Sequence, residues 1–481
     1  MRNMKKHEGF LTRAAVLALA LVVLPACGDD DDEGPRADAG TPGETDAGTD
    51  AGTVLDSDIA VARLNADGTL DTTFGASGVT RLDWSRGNGG TRDSVWSIAV
   101  DGDDRLVLFG SKRGEGDRVD ADRVVARLTA NGALDTTFGT GGMTVLNIGN
   151  LGDIARQGIV QADGKIVASG YMSQPTGVGA QSANRIVLQR LNADGTPDET
   201  FGWKGVVSSA PFLAQSASNP EWGMAEAYAV GVQSDGRYVT TGYGRTAASG
   251  TVDLVSFRYS ATGVLDSLWG SSGVALLDLT GADDRGRGMV VLQNNNDKVC
   301  MVGSAKPTAS KISAMALMLD RDGARDRGFS PDGYKLYDFE RSEQAFFGVA
   351  TSPNGNWVAA AGYRAGDNQD ADAVIAFIPV GTNTSQEVAR ATPMSETEDD
   401  RFWAVAFDAS NKAYGAGFIT EGGDNQMVVA RFNTDGTLDT SFGTGGIVKL
   451  NLAVAKTEEA VRGIVVQKNG KIVVAGSIEK L

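Results

Sequence analysis

Seven times between Val54 and the last residue, a strand-like run following a polar turn ends in glycine. These glycines are Gly110, Gly170, Gly242, Gly303, Gly362, Gly417 and Gly476, at successive spacings of 60, 72, 61, 59, 55 and 59 residues. QADGKIVASG (161–170) and QKNGKIVVAG (467–476) are the clearest copies. A period near sixty is a severe constraint: each repeat is one supersecondary unit that buries its apolar face only against its neighbours.

A second motif alternates with the first. RLNADGTLDTTFG runs from Arg63 to Gly75, and further copies end at Phe138-Gly139, Phe201-Gly202, Trp269-Gly270, Phe329-Ser330 and Phe442-Gly443. A seventh place, near Phe377 to Thr382, has lost the motif but keeps the apolar run Ala373 to Ile378. Asp-Gly or Asn-Gly between apolar runs is a strong hairpin signal, because these residues tolerate positive φ. In the unit at Arg156 the strands are expected at Gly158–Gln161, Lys165–Gly170, Ile186–Leu191 and Gly205–Ser208.

Four antiparallel strands repeated radially make a propeller blade. The chain begins with the outer two strands of a blade (Ile59–Leu64, Val79–Leu82) and ends with the inner two (Gly463–Val466, Lys471–Gly476). Joined, they complete one blade and remove an exposed edge. The expected fold is therefore all-β. It is a seven-bladed β-propeller over 54–481, its closing blade shared between the two ends.

These motifs closely resemble the delta-60 repeat, a bacterial family with a pattern like "avqpDGKivvaG … RlnaDGtlDttFG". The resemblance covers about 54–481, and the long motif is legible in six of seven copies. It implies propeller-like repeats and no general enzymatic assignment. The sixth unit, with Pro379 and no Asp-Gly turn, departs from the pattern.

The first residues carry a different signal. Arg2, Lys5, Lys6 and Arg13 precede an eleven-residue apolar run, Ala14 to Leu24, too short for a bilayer span but suited to a signal-peptide core. It ends in Leu24-Pro25-Ala26-Cys27, which resembles the bacterial lipobox; Pro25 departs from the usual small residue, and a plain secretory signal is the other reading. The resemblance implies a signal peptide over 1–26 and a lipid on Cys27. Residues 28–53 hold nine acidic residues, one Arg and no large apolar residue. Such a segment, with Cys27 the tether 27–53, stays solvated. By the same resemblance, Gly28 after the cysteine favours the outer membrane or cell surface.

Composition excludes several chemistries. The one histidine, His7, precedes the cleavage site, so the mature chain has no Ser-His-Asp triad, Cys-His pair or histidine-ligated metal. Cys300 sits in an apolar run and reads as a buried hydrophobe. A net charge of −17 repels phosphate backbones, so nucleic acid is not an expected partner, and membrane contact is expected only through the anchor.

Three sets of residues invite a functional reading. Asn65, Asp67 and Asp71 have oxygens at calcium-loop spacing, echoed at Asn192-Asp194-Asp198 and Asn433-Asp435-Asp439, whereas Thr129-Asn131 and Ser260-Thr262 lose charge there. A turn held by Asp71, Asp135, Asp198, Asp266, Asp326 and Asp439 is favoured over a metal. Phe74, Phe138, Phe201, Trp269, Phe329 and Phe442 read as wedges between blades. An acidic residue before each innermost strand (Asp93, Asp153, Glu226, Asp284, Glu343, Asp400, Glu459) offers either a carboxylate ring at one channel mouth or capping of loop amides.

No catalytic residue or cofactor is assigned, with Ca²⁺ as the one ion considered. The expected function is a monomeric, non-enzymatic, lipid-anchored envelope module that binds or scaffolds a protein, glycan or small molecule. The alternatives are a purely structural surface protein, or a carboxylate-based glycosidase or lyase using Glu387, Glu396 or Glu398.

Overall fold

The computed structural model describes residues 56–480 apart from 86–92, 117, 119, 150, 176–181, 210–223, 246–250, 272, 367–368, 396 and 454–458. The signal peptide, Cys27 and the tether lie outside the described residues. Twenty-eight strands form seven four-stranded antiparallel sheets. Blade 1 pairs Val79–Leu82 with Asp56–Leu64, then Ile472–Lys480, then Glu459–Val466. Along this closing seam Asp56 faces Lys480 and Leu64 faces Ile472, so the two chain ends complete one sheet as expected.

Blades 2 to 7 follow in order, each running from the innermost strand outward. Blade 3 shows the pattern: Asp153–Val160, Ile166–Pro175, Ser182–Leu191 and Val206–Ser209. The strands are longer than the sequence motif suggested, chiefly at the ends away from the Asp-Gly turns. Blade 6 keeps all four strands despite its lost motif. Its Gln369–Pro379 strand leads through an irregular loop to Val388–Thr392.

The repeat motif is an interlock between neighbours. Arg63 donates to Asp71 within its own blade at 2.7 Å and to the Ala130 carbonyl of the next blade at 2.7 Å. Its guanidinium also stacks on Phe74, 4.8 Å from the ring centroid. Phe74 is wholly buried and lies against Gly132, the turn glycine of blade 2. A Cβ on Gly132 would stand 2.6 Å from that ring, and its φ of +86° already favours glycine. Arg127, Arg190, Arg258 and Arg431 repeat the reach to the Ala193, Ala261, Arg321 and Ala66 carbonyls. Phe138, Phe201, Trp269 and Phe442 repeat the buried wedge; Phe329 is half-buried.

The degenerate sixth unit replaces this interlock at both its junctions. Toward blade 5, Glu387 accepts from Lys335 and Tyr337. Toward blade 7, Phe377 packs edge-on against Trp357 and Phe407, with centroids 6.4 and 6.3 Å away. Cys300 is wholly buried in the blade 5–6 core, and burial pushes its thiol up to about 12.

Candidate functional site: a ring at the centre of the propeller

Each innermost strand carries a β-bulge, and all seven bulges have one cause. The glycine that ends the first motif pairs with the residue before the bulge: Val95 with Gly110, Ala155 with Gly170, Ala227 with Gly242, Gly286 with Gly303, Phe346 with Gly362, Phe402 with Gly417 and Val461 with Gly476. A Cβ on any of these glycines would stand 1.8–1.9 Å from a carbonyl oxygen of the innermost strand. Glycine admits that carbonyl. The bulge that follows inserts one extra residue and re-aims it.

The seven inserted residues are Trp96, Arg156, Tyr228, Arg287, Phe347, Trp403 and Arg462. All seven line a cavity of about 190 Å³. Neighbouring innermost strands touch all the way round, so the residues form a closed circuit. Three arginines alternate with aromatic rings, except where Phe347 and Trp403 sit side by side with centroids 4.4 Å apart.

Each guanidinium lies between rings. Arg156 is 4.2 Å from Trp96 and 4.7 Å from Tyr228. Arg287 is 4.9 Å from Tyr228 and 5.5 Å from Phe347. Arg462 is 4.4 Å from Trp403 and 5.3 Å from Trp96. Cation–π stacking holds a guanidinium by its face, while its N–H donors lie in its plane. Beyond the ring, the cavity is lined by Ile98, Met289, Val349, Val405 and Ile464 together with the polar Ser97 and Gln157. No carboxylate is among the lining residues described.

The acidic positions before the innermost strands do not form a ring facing the channel. Of the two readings open in the sequence, burial and hydrogen bonding bear out the capping of loop amides. Asp93, Asp153, Glu226, Asp284, Asp400 and Glu459 are at most 1% exposed. Their carboxylates accept from neighbouring loops instead: Asp284 from the Leu279 and Thr280 amides at 2.7 and 3.1 Å, and Asp400 from Ala373, Met394 and Ser395 at 2.7–3.0 Å. Glu226 accepts from Asn184 and Tyr243. Glu343 accepts from Tyr363, and the capping place in blade 6 falls to Gln344, which takes the Phe339 amide. Burial pushes Asp93, Asp153 and Asp400 up to about 6.

The turn carboxylates serve the local backbone, as the sequence favoured. Asp67, Asp194 and Asp435 accept the Thr69, Thr196 and Thr437 amides at 2.9 Å. Asp71, Asp135, Asp198, Asp266, Asp326 and Asp439 each accept the amide two residues on. At Asp198 burial opposes ionisation, but Lys165, Thr200 and Arg190 outweigh it and hold the carboxyl well below the usual range. Among the described residues, two clusters of three carboxylates bring oxygens within 4.8 Å of one another: Asp58-Asp83-Asp93 and Asp253-Asp278-Asp284.

Two of the glutamates considered for catalysis, Glu387 and Glu398, stand apart from the ring. Glu387 belongs to the blade 5–6 junction, and Glu398 accepts the Gly422 and Gly423 amides at 2.6 and 2.9 Å. Glu396 lies outside the described residues. The arginine–aromatic ring itself escapes a search for repeated motifs, because its chemistry differs from blade to blade. Its only sequence signal is position, fourteen to sixteen residues before each motif glycine.

A family model described as "Domain of unknown function (DUF5122) beta-propeller" matches residues 51–74, 119–138, 161–201 and 410–442. With the seven sheets, it makes this chain a β-propeller protein. No curated protein matches the chain in sequence. Solved structures of the same general shape include a polysaccharide lyase titled an ulvan lyase (10% identity, 80% of this chain and 91% of that one, TM-score 0.45). A glucose dehydrogenase (11%, 75% and 95%, 0.35) and Sqt1 of Chaetomium thermophilum (14%, 80% and 95%, 0.35) are also similar. At these identities the likeness concerns the fold alone.

Proposed function

We propose that this chain is a non-enzymatic binding module, built from repeats of the delta-60 type and held at the outer cell envelope by a lipid on Cys27. Its ligand seat is the ring at the centre of the propeller. The observation that carries this reading is the contrast between repeated and unique residues. Residues recurring from blade to blade, such as Arg63, Asp71, Phe74 and Gly110, are spent on turns, interlocks and bulges. The bulge residues vary in chemistry yet converge on one cavity. A propeller that served only as a spacer has no need of three arginines there.

The anchor reading rests on Leu24-Pro25-Ala26-Cys27 and on the acidic stretch that follows, and no helix among the described residues is long and apolar enough to cross a membrane. A net charge of −17 argues against nucleic acid and leaves a protein, glycan or small molecule as ligand. The test has two arms. Labelled palmitate should enter the full chain in a bacterial host and be lost in Cys27→Ser. Native mass spectrometry of the full chain against envelope-derived metabolites, oligosaccharides and peptides should then find a ligand that the double variant Arg287→Gln/Trp403→Ala no longer holds. A ligand retained by that variant contradicts the seat, and an unlabelled wild-type chain contradicts the anchor.

A further inference from the structure

We infer that the propeller also rests on a lipid surface, through an apolar patch at the turn corners of blades 3 and 4. The inference goes beyond the ligand seat, and its tether argument rests on the anchor at Cys27. Among the described residues the most exposed large apolar side chains are Leu268, Trp203 and Val264, at 77%, 75% and 65%. The Gly202 amide donates to the Thr262 carbonyl at 3.0 Å, which sets the Trp203 corner of blade 3 against the Val264 turn of blade 4. Lys204 stands beside them, its Nζ 4.9 Å from the Trp203 ring centroid. In the other copies of the motif the places of Trp203, Val264 and Leu268 hold Thr, Ser, Ala, Pro or Gly. Thr73, Thr137 and Thr200 donate their hydroxyls to the turn aspartate at 2.6–2.7 Å. Leu268 gives up that bond at a place where it gains no burial. A local rule broken with no compensation inside the fold marks a site that serves something outside it.

Apolar side chains at turn corners are knobs, and a bilayer receives knobs without a groove of matching shape. Tryptophan and lysine suit a headgroup boundary, one by its amphipathic ring and the other by a long stem with a charged tip. The tether supplies the rest. The patch lies on the face of the hairpin turns, whereas Asp56, which follows the tether, lies at the opposite ends of the strands, one nine-residue strand or about 30 Å away. With the turn face on the bilayer, residues 27–53 have to span about that distance, and the relaxed span of a flexible chain of that length is also about 30 Å. A linker whose relaxed length matches its span gives the highest effective concentration, about millimolar, so burial of a few apolar side chains suffices. A net charge of −17 sets copies of the chain against one another and gives no pull toward anionic lipid, so the surface in question is zwitterionic.

Phosphatidylcholine vesicles brominated on their acyl chains provide the test, because the bromine quenches tryptophan that enters the bilayer. The full chain, purified from the envelope of a bacterial host, is titrated with these vesicles while tryptophan emission is followed. The expected result is saturable quenching that Trp203→Thr abolishes. The double variant Val264→Thr/Leu268→Thr should cut it about threefold or more, with unchanged thermal midpoints in both variants. Quenching that is indifferent to Trp203→Thr overturns the inference, as does its absence up to about 10 mM lipid. A dimer in sedimentation velocity that Trp203→Thr dissolves assigns the patch to a second copy of the chain and also overturns it. A chain that takes up no labelled palmitate yet is quenched through Trp203 contradicts the anchor alone and supports the patch.

Discussion

The methyl-sized space beside Gly170 is filled by the carbonyl of Ile154: a Cβ there would lie 1.9 Å from that oxygen. This contact links the commonest repeat residue to the least repeated one. Gly170 admits the carbonyl, the strand bulges at Arg156, and Arg156 enters the channel. Gly170→Ala should therefore cost about 3 kcal/mol or more, because backbone has to move. Gly102→Ala meets nothing within 4 Å and has no positive φ, so it should stay within about 0.5 kcal/mol. Urea midpoints of the two variants check the pair, and equal midpoints contradict it.

The blade interlock predicts a graded response at Asp198. Its side chain is 4% exposed and receives Arg190 at 2.8 Å and Lys165 at 2.7 Å. Asp198→Ala leaves the Arg190 charge buried without its carboxylate and should cost about 3 kcal/mol. Lys165 is 30% exposed, so Lys165→Met should cost less than about 1 kcal/mol. Chemical denaturation of both variants gives the comparison, and a cheap Asp198→Ala would mean that the interlock is decorative.

Acidity should stabilise this protein before it destroys it. Burial raises Asp93, Asp153 and Asp400 to about 6, and burial with Asp278 and Asp284 does the same at Asp253. An acid whose folded pKa exceeds its unfolded value of about 4 holds more protons folded than unfolded between the two, so stability falls as pH rises from about 4 to about 6. Asp198 and Asp439 shift the other way, Asp439 first through Ser441, and their contribution is lost as pH drops below about 4. Scanning calorimetry should place the unfolding midpoint about 5 °C or more higher at pH 4.5 than at pH 7.5, with a steep fall below pH 3. Asp153→Asn should narrow that gap; a midpoint that climbs steadily from pH 4.5 to 7.5 refutes the burial account.

The closing seam can be opened by truncation. Removing residues 472–481 takes away the strand that faces both Asp56–Leu64 and Glu459–Val466. Two unpaired edges then remain, which is a template for association between chains. Light scattering after gel filtration should find the full chain monomeric and the truncated chain as oligomers or aggregate. A monomeric truncated chain would mean that the seam is dispensable.

Much of this fold was legible in the residues themselves. The outer strand Val79–Leu82 falls where the sequence placed it, and the wedges at Phe74, Phe138, Phe201, Trp269 and Phe442 are buried as expected. Hairpin glycines and alternating apolar runs are local signals, so they read directly. Blade 6 was less legible because Glu387 and the Trp357–Phe377–Phe407 contact stand in for a motif without resembling it. For the acidic positions the sequence left a channel ring and loop capping both open, and the structure shows capping. Asp93, Asp153 and Asp400 recur because every blade has a loop to cap, and recurrence marks structural work. Trp96, Arg156 and Tyr228 share a backbone device and no chemistry, so nothing in their side chains announces a common place.

A crystal structure of the full chain tests the central claim most directly, by locating three guanidinium groups. The account predicts Arg156, Arg287 and Arg462 around one axis, each between two aromatic rings with centroids 4–6 Å from its central carbon. Arginines folded outward onto surface carboxylates, with the seven bulges pointing to no common cavity, would contradict it.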